Sequence, residues 1–262
     1  MPDTTPFTVT VFGSCCVVTP CQILNSEGKL KLNQRNIFGF THHPAETYQQ
    51  FQLITGSLSA PKRLWPYLNI SKTWNAPDSG NIDNFHENFK DTDIFIVEVS
   101  SVRKVVYKAF LLQINRTREI LAKSPEDVKN WWEPMTRFGV NNAAKIPGSL
   151  TGNDRDVAEL VNVVEQDTVG VYRDIARIDS FLKKPVIYVS HFDTDRQKKP
   201  IPQRTRINEA LKKLKKPESV LDPTQLVQDA GIDEALLDLG HYRKEFEPEV
   251  AKLLYSKILA RL

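Results

Sequence analysis

Two short segments at opposite ends of the chain carry side chains that could act together on an ester. Near the start, a run of β-branched and aromatic residues ends in Gly13-Ser14-Cys15, which predicts a hydroxyl on a turn after a strand. Near the end, Asp238 precedes His241 by three residues, so its carboxylate can reach the imidazole and fix the tautomer. A serine needs such a base to attack a carbonyl carbon at neutral pH. The spacing predicts a Ser14–Asp238–His241 catalytic triad.

Each of these residues also has a simpler interpretation. Ser14 could only cap the helix that follows it, and Asp238 could cap a helix while His241 lies at the surface. Cys15 is a rival nucleophile, because a thiol at a helix N-terminus is acidified, although small cysteines often only pack. The combination of hydroxyl, imidazole and carboxylate favours catalysis over capping.

Three further histidines need an interpretation. His42 and His43 are adjacent and would point apart on an extended loop, so no metal site is predicted there. His191 follows a predicted strand, with Asp193 two residues later. It could position a substrate, bind a metal or act as an alternative base, or it could lie in a solvated loop.

Between the two segments, apolar runs of strand length alternate with amphipathic segments. Predicted strands cover residues 7–12, 36–40, 93–99, 184–190 and 219–222. Predicted helices cover about residues 43–54, 102–121, 154–178, 204–214 and 247–262. A helix over 17–24 is limited by Pro20 to a first turn or a break. Long apolar strands separated by helices indicate a parallel sheet of about five strands covered on both faces.

We therefore predict an α/β fold with one domain over residues 1–262 and irregular excursions at about 59–90 and 124–152. In such a sheet the ligand site lies at the carboxyl ends of the strands. The residues expected at that edge are Ser14, Gly39, Ser100 and His191.

Composition excludes several classes of function. A net charge of +3, without aromatics interleaved in a basic stripe, does not favour nucleic acid as a partner. No apolar run approaches the roughly 20 residues of a transmembrane helix, and the N-terminus does not read as a signal peptide. The three cysteines crowd into residues 15–21, which argues against a disulfide framework. We predict a cytoplasmic protein, and the sequence carries no signal of its oligomeric state.

Three segments resemble the SGNH (GDSL-type) hydrolase superfamily, most closely its GSCFA-like branch. Residues 12–16 (Phe-Gly-Ser-Cys-Cys) are similar to the Gly-Ser-Cys turn of that branch. Residues 36–44 resemble its Asn-Pro-Phe-Gly…Asn/His-Pro stretch, and residues 238–242 resemble the Asp-x-x-His before the last helix. The resemblance implies a flavodoxin-like, three-layer α/β/α domain and acyl-ester chemistry.

The resemblance also implies a role for each site residue. Ser14 would be the nucleophile, His241 the general base and then acid, and Asp238 its orienting partner. The oxyanion would be bound by the N–H groups of Ser14 and Gly39 and by an Asn side chain after the third strand. The sequence departs from the superfamily here, because residues 98–101 (Glu-Val-Ser-Ser) contain no Gly-x-Asn. The Ser100 hydroxyl or a backbone amide would replace that donor.

These observations predict a serine-dependent ester hydrolase, a deacylase or esterase, that acts on an acylated carbohydrate-like or other small polar substrate without a cofactor. An alternative is an O-acyltransferase on the same scaffold, with a thioester such as acetyl-CoA as co-substrate. A second alternative is a non-catalytic binding protein with a degenerate site, which the missing Asn would favour.

Overall fold

The computed structural model describes residues 6–77 and 80–262 and is organised around a parallel sheet. The strands are β1 (Phe7–Phe12), β2 (Leu30–Leu32), β3 (Ile94–Val99), β4 (Arg103–Tyr107), β5 (Phe110–Leu112), β6 (Asn162–Glu165), β7 (Val186–Ser190), β8 (Val220–Leu221), β9 (Leu236–Asp238) and β10 (His241–Tyr242). The helices are α1 (Cys15–Ser26), α2 (Pro44–Thr55), α3 (Ile82–Asn88), α4 (Ile114–Leu121), α5 (Pro125–Asp127), α6 (Glu133–Phe138), α7 (Gly152–Leu160), α8 (Thr168–Phe181), α9 (Pro202–Lys212), α10 (Thr224–Ala230), α11 (Ile232–Ala235) and α12 (Glu247–Leu259).

The central sheet has five parallel strands in the spatial order β2-β1-β3-β7-β8. Numbered along the chain within this sheet, the order is 2-1-3-4-5, which is the flavodoxin-like doubly wound order. The α/β prediction with a parallel sheet of about five strands is confirmed. The chain reverses its direction of winding between β1 and β3, where ligands bind in sheets of this kind.

Helices cover both faces of the sheet because successive strand side chains point to opposite sides. Val9 and Val11 pack in one buried cluster with residues of α1 and α12. Phe12 and Phe95 pack on the other side, in a cluster that includes residues of α2, α8 and α9. These clusters hold the carboxyl ends of the strands at one edge. Within the part of the chain that the structure describes, no helix is long and apolar enough to span a bilayer.

Helix α1 continues through Pro20 for its full length, so the predicted break at this proline is wrong. Proline in a helix interior removes one backbone hydrogen bond and crowds the preceding turn. Here burial of Val17, Cys21 and Leu24 between the sheet and α12 offsets that cost. The helix therefore starts at Cys15, directly after the turn that carries Ser14.

The predicted strand over residues 36–40 is also wrong. The edge strand is β2, which pairs in parallel with β1 from Phe7↔Leu30 to Val9↔Leu32. Residues 36–40 form an irregular turn, in which Asn36 and Gly39 have φ angles of 57° and 64°. These left-handed conformations are incompatible with an extended strand.

Two predicted helices are interrupted by a second, antiparallel sheet with the order β5-β4-β6. Residues 103–112 form the β4–β5 hairpin, which turns at Lys108 (φ 53°), and only Ile114–Leu121 is helical. Residues 162–165 form β6, which separates α7 from α8 and pairs with β4 at Val105↔Val163. Valines in these segments satisfy the helical period and the strand period together, and β-branched residues favour the strand once a pairing partner exists.

Candidate active site

A cavity of about 330 Å³ lies at the carboxyl ends of the central strands, beside the reversal between β1 and β3. Its lining residues are Ser14, Cys15, Phe40, His42, Ser100, Asn115, His191, Arg204, Gly240 and His241. The cavity therefore brings together four residues that the sequence predicted for the site, namely Ser14, Ser100, His191 and His241. Asp238 lies behind His241, and Gly39 is not part of the lining.

The β9–β10 hairpin carries the Asp–His pair. His241 Nδ1 lies 2.9 Å and 3.0 Å from the two carboxylate oxygens of Asp238. The Gly240 N–H donates to the same carboxylate at 2.6 Å. Partial burial opposes ionisation of Asp238, but hydrogen bonds from Gly240 and His241 outweigh it and lower the Asp238 pKa. With Nδ1 bonded to the carboxylate as donor, Nε2 of the neutral ring is left as the proton acceptor.

Arg204 on α9 ties this hairpin to the body of the molecule. Its guanidinium donates to the carbonyl of Phe192 at 2.7 Å and to the carbonyl of Leu239 in the hairpin turn. The guanidinium carbon also lies 4.4 Å from the centre of the Phe192 ring. Tyr242, next to His241, packs on the same ring. These contacts position an otherwise solvent-exposed histidine at the mouth of the cavity.

Ser14 is the N-cap of α1 and is held by a buried carboxylate. Its hydroxyl accepts from the Cys16 N–H at 3.2 Å and donates to Glu98 Oε1 at 3.0 Å. Its own backbone N–H donates to Glu98 Oε2 at 2.5 Å. No hydrogen bond joins Ser14 to His241 in the described part of the chain. The Ser14 amide, which the resemblance assigned to the oxyanion, is thus bound to a carboxylate.

Gly13 makes this arrangement possible. A Cβ atom at this position would lie 2.4 Å from Val17 Cγ1 and 2.7 Å from Glu98 Cβ. Glu98 itself is only 1% exposed, and burial raises its pKa to about 7 despite the hydrogen bonds from Ser14. Glu98 was not among the residues that the sequence predicted for the site. The available signal was a single acid in the otherwise apolar strand β3.

Cys15 and Cys16 occupy different environments although they are adjacent. Cys15 is the first residue of α1, is half-buried and lines the cavity. Cys16 is buried, and its thiol lies 3.2 Å from the Gly240 carbonyl and 3.4 Å from His191 Nε2. The Cys16 thiol lowers the Cys15 pKa and burial opposes this, while His241, the Cys15 backbone N–H and the Ser14 side chain also lower it. The Cys16 pKa is raised by its contact with Cys15 and by burial.

His42, Ser100 and Asn115 form another group of contacting residues in the cavity lining. His42 Nδ1 lies 3.3 Å from the Ser100 hydroxyl, and its Nε2 lies 3.5 Å from the Asn115 amide nitrogen. Burial lowers the His42 pKa to about 4, so this ring is neutral at physiological pH. His43 points elsewhere and caps α2 by accepting from the Ala45 N–H at 3.0 Å. Asn115 was not predicted for the site, because residues 102–121 were expected to form one long helix, whereas Asn115 follows the β4–β5 hairpin.

His191 and Gly39, both predicted at the edge, have different surroundings. His191 is 6% exposed, and burial lowers its pKa to about 3, which leaves the ring neutral. Its Nδ1 has no hydrogen-bond partner in the described part of the chain. Gly39 has a positive φ, and a Cβ there would lie 2.0 Å from the Asn69 amide nitrogen. Its role is therefore to let the loop before Phe40 pass close to Asn69.

Comparison with known proteins places the chain in a family. The sequence-family model of the TviD N-terminal domain matches residues 7–257. The chain is 25% identical over 97% of its length to the Vi polysaccharide biosynthesis protein TviD of Salmonella typhi, and it spans 32%, about a third, of that protein. No solved structure matches the chain. Because the family model covers nearly all of the sequence, the chain belongs to the TviD N-terminal domain family.

Proposed function

We propose that this chain is an enzyme that removes or transfers an acyl group at a hydroxyl of a carbohydrate. The observation that carries the proposal is the Asp238–His241 pair at a cavity whose other side holds Ser14 and Cys15 at the start of α1. An imidazole fixed through Nδ1 and free at Nε2 is a general base for a nearby nucleophile.

The chemistry follows that of SGNH-type hydrolases in outline. A nucleophile at the start of α1, Ser14 or Cys15, attacks the acyl carbon, and His241 takes its proton and later returns a proton to the departing alkoxide. Asp238 stabilises the imidazolium that forms in between. The spatial order of the sheet, 2-1-3-4-5, and the Asp-x-x-His hairpin support this kinship with the superfamily.

A carbohydrate substrate is supported by the relative. The Salmonella protein is named for biosynthesis of a polysaccharide, and the matched third of it corresponds to this chain. The cavity volume of about 330 Å³ falls in the range of small-molecule sites, which extends from about 300 to 1,000 Å³. In its first form, the proposal is a deacylase that hydrolyses an ester on a sugar unit.

The same relative favours a second candidate, an O-acyltransferase. A biosynthetic role fits the addition of an acyl group from a thioester such as an acyl-CoA better than its removal. Both reactions need the same base and nucleophile, and they differ only in whether water or a sugar hydroxyl accepts the acyl group.

Cleavage of p-nitrophenyl acetate and of acetyl-CoA by the purified chain tests the proposal. His241→Ala should lower the rate by about 100- to 10,000-fold, because general-base catalysis typically contributes that much. His86→Ala is the matched control, since His86 is an exposed helical histidine outside the cavity. The proposal would be contradicted if the chain turned over neither compound, or if His241→Ala and His86→Ala had equal rates.

Adding a sugar acceptor separates the two candidates. A transferase consumes acetyl-CoA faster when a polysaccharide acceptor is present, and the acetyl group is recovered on the acceptor. A deacylase releases free acetate at a rate that does not depend on an acceptor.

A further inference from the structure

We propose that Cys15, rather than Ser14, takes the acyl group, and that Ser14 together with Glu98 positions the turn on which Cys15 stands. This inference rests on the proposed function of the cavity and names the residue that forms the covalent intermediate.

Ser14 is buried and directed away from the Asp238–His241 pair in this geometry. Only 4% of the residue is exposed. Its hydroxyl proton is donated to Glu98, and its oxygen accepts from the Cys16 N–H. The hydroxyl proton of Ser14 is therefore directed at Glu98 on β3, and the Asp238–His241 pair makes no hydrogen bond to Ser14 in the described residues. The Ser14–Glu98 bonds act instead as a clamp between α1 and β3.

Cys15 has the accessibility and electrostatics that Ser14 lacks. It lines the cavity at the first position of a helix of 12 residues. Thiolates are stabilised at helix N-termini and beside imidazolium. The Cys16 thiol, His241 and the Cys15 N–H all lower the Cys15 pKa. Burial opposes these effects but does not outweigh them, so the environment of Cys15 favours the thiolate.

The cavity also has polar groups that a bound acyl group could use. The Cys15 N–H has no acceptor in another residue within 6–77 and 80–262, so it can donate to the oxyanion. The Asn115 amide lines the same cavity and is the structural candidate for the Asn that the sequence lacks after the third strand. His191, more than nine-tenths buried, also lines the cavity, and its Nδ1 has no hydrogen-bond partner in the described residues.

The reaction balances without an external oxidant or reductant. The Cys15 thiol gives its proton to His241, and the thiolate attacks the acyl carbon of an ester or thioester to form a C–S bond. The C–O or C–S bond to the leaving group breaks, and His241 protonates that group. Water or a sugar hydroxyl then loses its proton to His241 and attacks the thioester. The bond to Cys15 breaks, and the thiolate recovers its proton from His241.

The test is intact-mass analysis of the chain after incubation with acetyl-CoA or p-nitrophenyl acetate, together with steady-state turnover. Wild type is compared with Cys15→Ala, Ser14→Ala and the control Cys21→Ala, which removes a fully buried thiol outside the cavity. Unfolding midpoints identify any variant that fails to fold. Neutral hydroxylamine distinguishes the adducts, because it cleaves a thioester and leaves a serine ester largely intact.

The expected result is an acetyl adduct that hydroxylamine removes and that is absent in Cys15→Ala. Ser14→Ala should still form it, with a rate reduced by disturbance of the turn. Where turnover is too fast for an adduct to accumulate, loss of turnover in Cys15→Ala but not in Ser14→Ala gives the same answer. An independent readout is alkylation by iodoacetamide, which should modify Cys15 alone, and more slowly in His241→Ala, because Cys16 and Cys21 are buried.

The opposite pattern would overturn the inference while leaving the proposed function intact. It consists of a hydroxylamine-resistant adduct that survives in Cys15→Ala and is lost in Ser14→Ala. Failure of the proposed function looks different, because wild type then gives neither adduct nor turnover, and His241→Ala changes nothing.

Discussion

The two halves of the candidate site are held in place by different physical means. The turn at the start of α1 is built into the sheet, where Ser14 and Glu98 are almost fully buried and bonded to each other. The β9–β10 hairpin lies at the surface, and the side chains of His241 and Asp238 are 54% and 56% exposed. Buried polar contacts resist change because breaking one leaves an unsatisfied group, whereas exposed ion pairs contribute little to stability. Substitutions in the buried contacts of the turn should therefore affect folding, whereas substitutions in the hairpin should affect chemistry with little effect on folding.

The largest expected effect is on catalysis and comes from the hairpin. Asp238→Asn keeps the size of the side chain but removes the charge that fixes the His241 tautomer, and comparable substitutions lower turnover by up to about 10,000-fold. The free energy of unfolding should change by less than about 1 kcal/mol, since the pair is exposed. Ester turnover and urea unfolding measure the two quantities, with the exposed Asp229→Asn as control. A large loss of stability would show that the hairpin is structural after all.

The next effect is on folding and comes from the turn. Gly13→Ala places a Cβ within 2.7 Å of Glu98 Cβ and closer still to Val17, so the strand and helix must move apart. Overpacking of this kind costs about 1–3 kcal/mol, and two simultaneous clashes place the expected loss near the upper end. Gly148→Ala is the control, because a Cβ there meets no atom within 4 Å. Equal unfolding free energies in urea for the two variants would contradict the role assigned to the turn.

Some strands could be predicted from the sequence and others could not. The strands β3 and β7 were predicted because largely apolar runs of that length require burial on both faces, and β1 was predicted from alternating β-branched and aromatic residues. The β4–β5 hairpin and β6 were not, because alternating valines also fit a helix until a pairing partner is known. Local pattern is sufficient where burial alone selects the element and insufficient where pairing across the chain selects it.

The residues of the site also fall into a group that the sequence predicted and a group that it did not. Ser14, Ser100 and His191 lie at the edge predicted for them because each follows a predicted strand by one or two residues. Glu98 and Asn115 were missed, since their positions depend on contacts between segments that are distant along the chain. The single acid in β3 was a signal for Glu98, but its partner Ser14 becomes visible only in the tertiary structure, and Asn115 has no local motif.

A smaller effect is expected on the pH dependence of stability, and it comes from Glu98, which is hydrogen-bonded to Ser14 in the turn. The Glu98 pKa is raised to about 7 from 4.5, so the folded chain retains a proton that the unfolded chain releases. Stability from this group is full below pH 4.5 and is lost as the pH rises through about 7. Between pH 5.5 and 7.5 wild type should lose about 2 kcal/mol relative to Glu98→Gln.

Urea unfolding of both proteins across this range measures the loss. Glu46→Gln should also reduce the loss of unfolding free energy with rising pH, as Glu98→Gln does, because burial raises the Glu46 pKa to about 7 as well. Parallel curves for wild type and Glu98→Gln would mean that the buried carboxyl does not titrate in the folded chain over this window. Glu98 would then hold Ser14 as a charged carboxylate at every pH in this range.

The smallest expected effect concerns the link between the two regions. Arg204 donates to the carbonyl of Phe192, which follows β7, and to the carbonyl of Leu239 in the hairpin. It therefore fixes the hairpin that carries His241 to the end of the central sheet. A lysine cannot donate to both carbonyls in the same fixed geometry. Arg204→Lys should therefore lower kcat by about tenfold, or about 1.4 kcal/mol, with little change in KM. Arg206→Lys, on the same helix but paired with Glu165, is the control for loss of a guanidinium. A rise in KM with unchanged kcat would instead assign Arg204 to substrate binding, and the position of His241 would then depend on the hairpin alone.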